Sequence, residues 1–118
     1  MAANQGEELL ALHFGDRPLL LPNPWDIGSA KVLASLGFRA LATTSSGFAA
    51  SLGRLDGSVT RDEALSHAVG ITLATGLPVS ADFESGFGAT AGEVAETVRL
   101  AVAGGLAGCS VEDASGRP

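Results

Sequence analysis

Four short apolar runs, each closed by polar or acidic residues, constrain this chain more than any other feature. Leu19-Leu20-Leu21 stops at Pro22-Asn23-Pro24, and Ala40 to Thr43 runs into Thr44-Ser45-Ser46-Gly47. Pro78 to Ala81 ends in Asp82-Phe83-Glu84, and Cys109-Ser110-Val111 ends in Glu112-Asp113. Each run has strand length, is mostly of buried character and is bounded by turn residues. Helical patterns fill the gaps. Ile27 to Leu36 carries apolar residues at 27, 32, 33 and 36 and stops at Gly37, a residue suited to closing a helix. Thr60-Arg61-Asp62-Glu63 reads as a capping box, opening a helix that runs to about Thr75 and stops at Gly76. Thr90-Ala91-Gly92-Glu93 repeats the device, with the helix ending near Gly104-Gly105. A short N-terminal helix, roughly Glu7 to His13, precedes the first strand.

Short apolar strands alternating with helices predict an α/β fold with a parallel sheet, helices outside and right-handed crossovers. Two architectures meet that description: an open doubly wound sheet of flavodoxin type, and a (β/α)8 TIM barrel of which this chain covers about the first four β/α units. A barrel needs about 250 residues, whereas this chain has 118. A four-stranded sheet ending after the fourth run leaves an uncovered edge. Residues 1–118 are therefore read as the N-terminal half of a single barrel domain, preceded by a short helix. Apolar residues make up 46% of the chain, enough for a core. Seven Lys and Arg against 13 Asp and Glu give a net charge of −6. Without a basic cluster, phosphate neutralisation fails and nucleic acid is excluded as a partner. The single Cys109 excludes an internal disulfide framework and any CxxC motif. No apolar run approaches the roughly 20 residues of a membrane span, and the polar, acidic stretch Met1 to Glu8 is no signal peptide. The expectation is a cytoplasmic protein that acts on a small molecule.

Acidic residues collect just after the runs: Asp26, Asp56, Asp82 and Glu84, then Glu112 and Asp113. In a parallel α/β sheet these positions share one face, where sites form. Carboxylates converging there repel one another unless a cation lies between them, and Mg²⁺ takes one or two carboxylates plus waters and substrate oxygens. Asp82 and Glu84 are two apart, so on a regular strand both point the same way, and Glu112 on the next strand can face them. The plainer reading is that such residues solvate loops and cap helices. Gly86-x-Gly88 lacks the third glycine of a dinucleotide fingerprint, which excludes that reading. Thr43 to Gly47 is a small-residue loop that either offers amides and hydroxyls to a carboxylate or enolate oxygen, or is an ordinary turn. Trp25 either walls a pocket or plugs the top of the sheet. His13 and His67 fall in helices outside this face, and Cys109 falls in an apolar strand as an inert thiol.

These residues, in this order, resemble the isocitrate lyase / phosphoenolpyruvate mutase superfamily from about Leu19 to Asp113. Asn23-Pro24-Trp25-Asp26-Ile27-Gly28-Ser29-Ala30 is similar to its N-x-x-D-x-x-S-A segment. Asp82-x-Glu84-x-Gly86-Phe87-Gly88 resembles its D-x-D-x-G-[YF]-G metal motif, with Glu84 where most members carry Asp. Val111-Glu112-Asp113 resembles its I-E-D segment. The resemblance implies a (β/α)8 barrel, Mg²⁺ (with Mn²⁺ as substitute), and a small 2-oxo or 2-hydroxy acid whose C–C or C–P bond is broken or made through an enolate. It implies Asp82 as direct metal ligand and substrate contact, and Glu84 and Glu112 holding metal-bound waters. Thr44, Ser45 and Ser46 would bind the acid, Trp25 would line the pocket, and Asp56, on a gating loop, is the candidate catalytic residue. Members are usually homotetramers.

The lyases carry a K-K-C-G-H type segment soon after the E-D pair, whereas Ala114-Ser115-Gly116-Arg117-Pro118 follows here. A less specialised member is expected, such as an oxaloacetate-type decarboxylase or a phosphonopyruvate-type enzyme. The alternative is a non-catalytic or truncated member that binds acid and metal without turnover. A half-barrel is also expected to self-associate, because the inward positions Leu20, Ala42, Ala81 and Val111 lack opposing strands.

Overall fold

The computed structural model describes residues 4–114. Helix α1 (Gln5–Leu12) opens the chain, capped by the Asn4 side chain, which accepts from the N–H groups of Gly6 and Glu7. It is tied down by Gln5, whose Oε1 accepts from the Thr72 hydroxyl at 2.8 Å. Helix α2 (Ile27–Ser35) starts at a capping box in which Asp26 accepts from the Ser29 N–H and the Ser29 hydroxyl reaches back. Strand β1 (Leu41–Ala42) leads into α3 (Ser45–Ser51). Helix α4 (Arg61–Thr75) begins at the Thr60 cap and ends at Gly76, whose φ of 71° suits a residue without Cβ. Strand β2 (Val79–Asp82), α5 (Ala91–Ala103) with its Thr90–Glu93 capping box, and β3 (Gly108–Ser110) complete the order. The three strands are parallel in the order β1-β2-β3, with Leu41 opposite Val79 and Ala81 opposite Cys109.

The pleat sorts the side chains. Leu41, Val79, Ala81 and Phe83 are almost fully buried and join Ala30, Ala64, Ala68 and Ile71 in one core. That face packs under α4, α2 packs on α4, and the many alanines let these elements lie close together. Ala42, Ser80 and Asp82 fall on the opposite, half-open face. Ala81 is thus beneath the helices and not among the inward residues, because β2 places Val79 and Ala81 together and Ser80 and Asp82 together. Leu20 and Val111 are left exposed, at 68% and 44%.

Two further expectations need correction. Leu19 to Leu21 forms no strand: this stretch lies extended beside β1, and the Ala42 N–H donates to the Pro22 carbonyl at 3.1 Å. That bond does not grow into a ladder, and Pro22 and Pro24 beside it have no N–H with which to return another. The stretch after β1 is no loop, since Thr44 caps α3 by accepting from the Gly47 N–H. No described helix is long and apolar enough to cross a membrane.

Candidate active site

The C-terminal ends of β1, β2 and β3 bring most of the expected residues to one edge. Asp82 closes β2. Its Oδ2 accepts from the Ser45 N–H and its Oδ1 from the Glu84 N–H, both at 3.0 Å, while its own N–H donates to Thr43 Oγ1 at 2.9 Å. Burial opposes ionisation of Asp82, but the hydrogen bonds from Glu84 and Ser45 outweigh it and hold the carboxyl below its ordinary value. The Asp82 anion is therefore fixed in place by two strand ends at once.

Glu84 is the opposite case. Burial, then the charges of Asp56, Asp82 and Glu112, push its pKa up. Its backbone is left-handed, with φ of 54°, and Phe87 follows at 58°. Left-handed backbone in a residue with a side chain costs about 1–3 kcal/mol and persists where its surroundings impose it. Here they do. The Glu84 carbonyl accepts from the Glu112 N–H at 2.7 Å, and the Gly86 N–H donates to the Phe83 carbonyl at 2.7 Å. The Thr97 hydroxyl donates to the Gly86 carbonyl at 2.7 Å. A Cβ on Gly86 would lie 2.7 Å from Val94, and one on Gly88 would lie 2.4 Å from Glu93. The glycines thus let the loop sit directly on the first turn of α5. Because β2 ends at Asp82, the two-apart rule for a regular strand does not apply, and it is the turn that aims Glu84.

Glu112 and Asp56 lie on exposed segments, close enough to Glu84 to act on it electrostatically. Trp25 is about half exposed and lies over α3, where a Cβ on Gly47 would come within 2.3 Å of its indole nitrogen. Thr44, Ser45 and Ser46 occupy the cap and first turn of α3. Among the described residues no three acidic, histidine or cysteine side chains are grouped so that they could hold a metal ion by themselves. The set still fits Mg²⁺, which needs one or two direct carboxylates and keeps several waters. Asp82, held ionised by the Glu84 and Ser45 hydrogen bonds, is the group suited to the direct role.

Asp26 is taken up in capping α2, and the Ser29 N–H lowers its pKa. Burial pushes the Cys109 thiol up, in keeping with an inert group. His67 departs from the sequence reading. It stacks on Phe48, with centroids 3.8 Å apart, and lines a recess of about 10 Å³ with Thr43, Thr44, Ser45, Asp82 and Glu84. The signal was its position three residues after Ala64, at the flank of the buried α4 stripe Ala64, Ala68 and Ile71. A groove of about 680 Å³ includes none of these groups. It is lined by residues from 8–20 and 36–39.

The model of the family described as phosphoenolpyruvate phosphomutase matches residues 9–118. The chain belongs to this family. It is 40% identical over 97 residues to 2,3-dimethylmalate lyase of Eubacterium barkeri, an alignment covering 80% of this chain and 33% of that protein. Among solved structures it matches a candidate lyase/mutase from Burkholderia cenocepacia at a TM-score of 0.94 and 51% identity, covering 98% of this chain and 42% of the other. A crystal structure of 2,3-dimethylmalate lyase, from the PEP mutase/isocitrate lyase superfamily, matches at 0.86 and 32% identity, covering 96% and 41%. The α/β fold is that of these proteins, and the chain spans about a third to two-fifths of their length.

Proposed function

We propose that this family member forms the first four β/α units of a (β/α)8 barrel and the metal-binding part of a Mg²⁺-dependent lyase or mutase. Its substrate is a small 2-oxo or 2-hydroxy acid, cleaved or formed at a C–C or C–P bond through an enolate. The observation that carries this reading is the pairing of Asp82, held as an anion by two backbone N–H groups, with Glu84, forced into left-handed backbone among three other carboxylates. Placing Glu84 among these anions disfavours its charged form, and a cation would offset that cost. Asp82 would hold the metal directly, and Glu84 and Glu112 through water. Bound Mg²⁺ supplies Lewis acidity toward an oxo oxygen and stabilises developing enolate charge. Thr44, Ser45 and Ser46, on the cap and first turn of α3, would bind the acid. Trp25 walls the pocket on the α3 side, and Asp56 arrives on the loop between α3 and α4. We place the working protein in the cytoplasm as a homo-oligomer.

Calorimetry with Mg²⁺ or Mn²⁺, alone and with oxalate as a mimic of the enolate, tests the reading. Metal binding strengthened by oxalate is the expected result. No metal affinity under either condition, or preference for a nucleotide, would sink it. The second reading is a family member that binds acid and metal without turnover. Tight oxalate binding without consumption of any 2-oxo or 2-hydroxy acid would select it.

A further inference from the structure

His67 Nε2 is buried and has no hydrogen-bond partner among the described residues. Stacking on Phe48, nearly parallel at 8°, accounts for the ring's faces but not for a buried polar atom. A phenyl ring would stack as well without desolvating a nitrogen, and an orphaned buried group in a folded protein calls for a partner. The recess it lines is about 10 Å³, the space of about one water and far too small for an organic acid. A water so placed needs two to four polar neighbours, and the lining supplies them: the Thr43 and Ser45 hydroxyls and the Asp82 and Glu84 carboxylates. Thr43 Oγ1 already accepts from the Asp82 N–H, which leaves its hydroxyl hydrogen to donate.

We propose that His67 is a positioning residue for the metal site: its Nε2–H donates to one water in this recess, which in turn donates to the Asp82–Glu84 carboxylates. Burial lowers the His67 pKa against the weaker opposing effect of Asp26, so the ring is neutral and carries one proton. The carboxylates across the recess favour the tautomer with that proton on Nε2. The bridge fixes where the carboxylates point and tempers their mutual repulsion, as partners of metal ligands commonly do. This inference rests on the metal reading above.

Two variants separate it from plain packing. His67→Phe keeps the stack on Phe48 and removes the polar atom, while His67→Gln keeps a donor on a flexible stem. Metal affinity should fall about tenfold or more in His67→Phe and return to within a few-fold of the original in His67→Gln, with thermal midpoints close to the parent in chelator. Equal Mg²⁺ affinity in parent and His67→Phe overturns the proposal. If the parent binds no Mg²⁺, the metal reading has failed, and His67 is judged on the metal-free protein by ¹⁵N imidazole spectra. The proposal requires the Nε2–H tautomer and an Nε2 resonance that moves in Asp82→Asn. An Nδ1–H tautomer, or a resonance indifferent to that change, overturns it. The same spectra decide the matter if His67→Phe does not fold.

Discussion

Replacing Glu84 should stabilise the metal-free protein and reverse sign when Mg²⁺ is added. Two terms act at this position. Its φ of 54° costs a residue with an ordinary side chain about 1 kcal/mol at the low end of the usual range, and asparagine relieves most of that because it tolerates left-handed backbone. The like charges of Asp56, Asp82 and Glu112 add about 0.5 kcal/mol after discounting for solvent screening of partly exposed groups. Glu84→Gln removes only the charge and should gain about 0.5 kcal/mol; Glu84→Asn removes both and should gain about 1.5 kcal/mol. At roughly 4 °C per kcal/mol for a domain of this size, thermal midpoints in chelator should rise by about 2 °C and about 6 °C. In Mg²⁺ the order should invert, since ligand binding stabilises by RT ln(1 + [L]/Kd) and only the parent keeps the full carboxylate set. Scanning calorimetry of the three proteins, in chelator and in excess Mg²⁺, measures all six midpoints. A lower midpoint for Glu84→Asn in chelator would refute the strain argument. Equal Mg²⁺ increments in all three would refute the role of Glu84 at the metal.

Other outcomes follow from neighbouring residues. Asp82→Ala should abolish Mg²⁺ binding in calorimetry and lower metal-free stability by about 2 kcal/mol, because it leaves the Ser45 and Glu84 N–H groups without their acceptor. Gly86→Ala, at φ of 96° and 2.7 Å from Val94, should cost about 2 kcal/mol or more in denaturant unfolding; Val94→Ala in the same chain should recover the steric part only. The 118-residue chain alone exposes Phe14, Leu20 and Leu55 at 81%, 68% and 84% and should associate in sedimentation experiments. A monodisperse monomer that unfolds cooperatively would instead favour an open sheet that is complete in itself.

Capping residues and glycine stops made three of the five helices among the described residues legible within a residue or two, because Thr60–Glu63, Thr90–Glu93 and Gly76 act locally. The parallel order followed from alternation alone. The first apolar run misled because apolarity does not report strand pairing, and Pro22 and Pro24 at its end cannot donate to β1. Helix α3 went unread because Thr44 caps it without a glutamate three residues on; Gly47 stands there, which looks like a turn. In the site, Asp82, Glu84, Glu112 and the Thr44–Ser46 segment lie at adjacent strand ends, as their positions after apolar runs imply. His67 was hidden because its partner in space, Phe48, belongs to the unread helix. The left-handed turn at Glu84 had no signal either, since glutamate ordinarily avoids that backbone.

The acidic residues differ in the sign of their perturbation, and the sign sets Glu84 apart from the carboxylates that accept strong hydrogen bonds, its neighbour Asp82 among them. Glu93 accepts from the N–H groups of Ala89 and Thr90, and these bonds lower its pKa; Asp26 and Glu63 are likewise lowered, by the Ser29 N–H and by Arg54. Such carboxylates gain from being charged. Glu84, pushed up by burial and three anions, loses by it. The two classes must respond oppositely to acid in the metal-free protein. With a lowered folded pKa, charged Glu93 adds stability that is fully present above its ordinary value of 4.5 and fades as pH falls through the lowered one. Glu93→Gln should therefore be less stable than the parent at neutral pH and converge with it in acid. With a raised folded pKa, Glu84 penalises the parent fully above that raised value, and the penalty vanishes as pH falls below 4.5. Glu84→Gln should be the more stable protein at neutral pH and lose its advantage over that window. Stability measured by denaturant unfolding from neutral to acid pH in chelator gives both difference curves. Curves of the same sign would place Glu84 with the helix caps and remove the charge argument for a cation at this strand end.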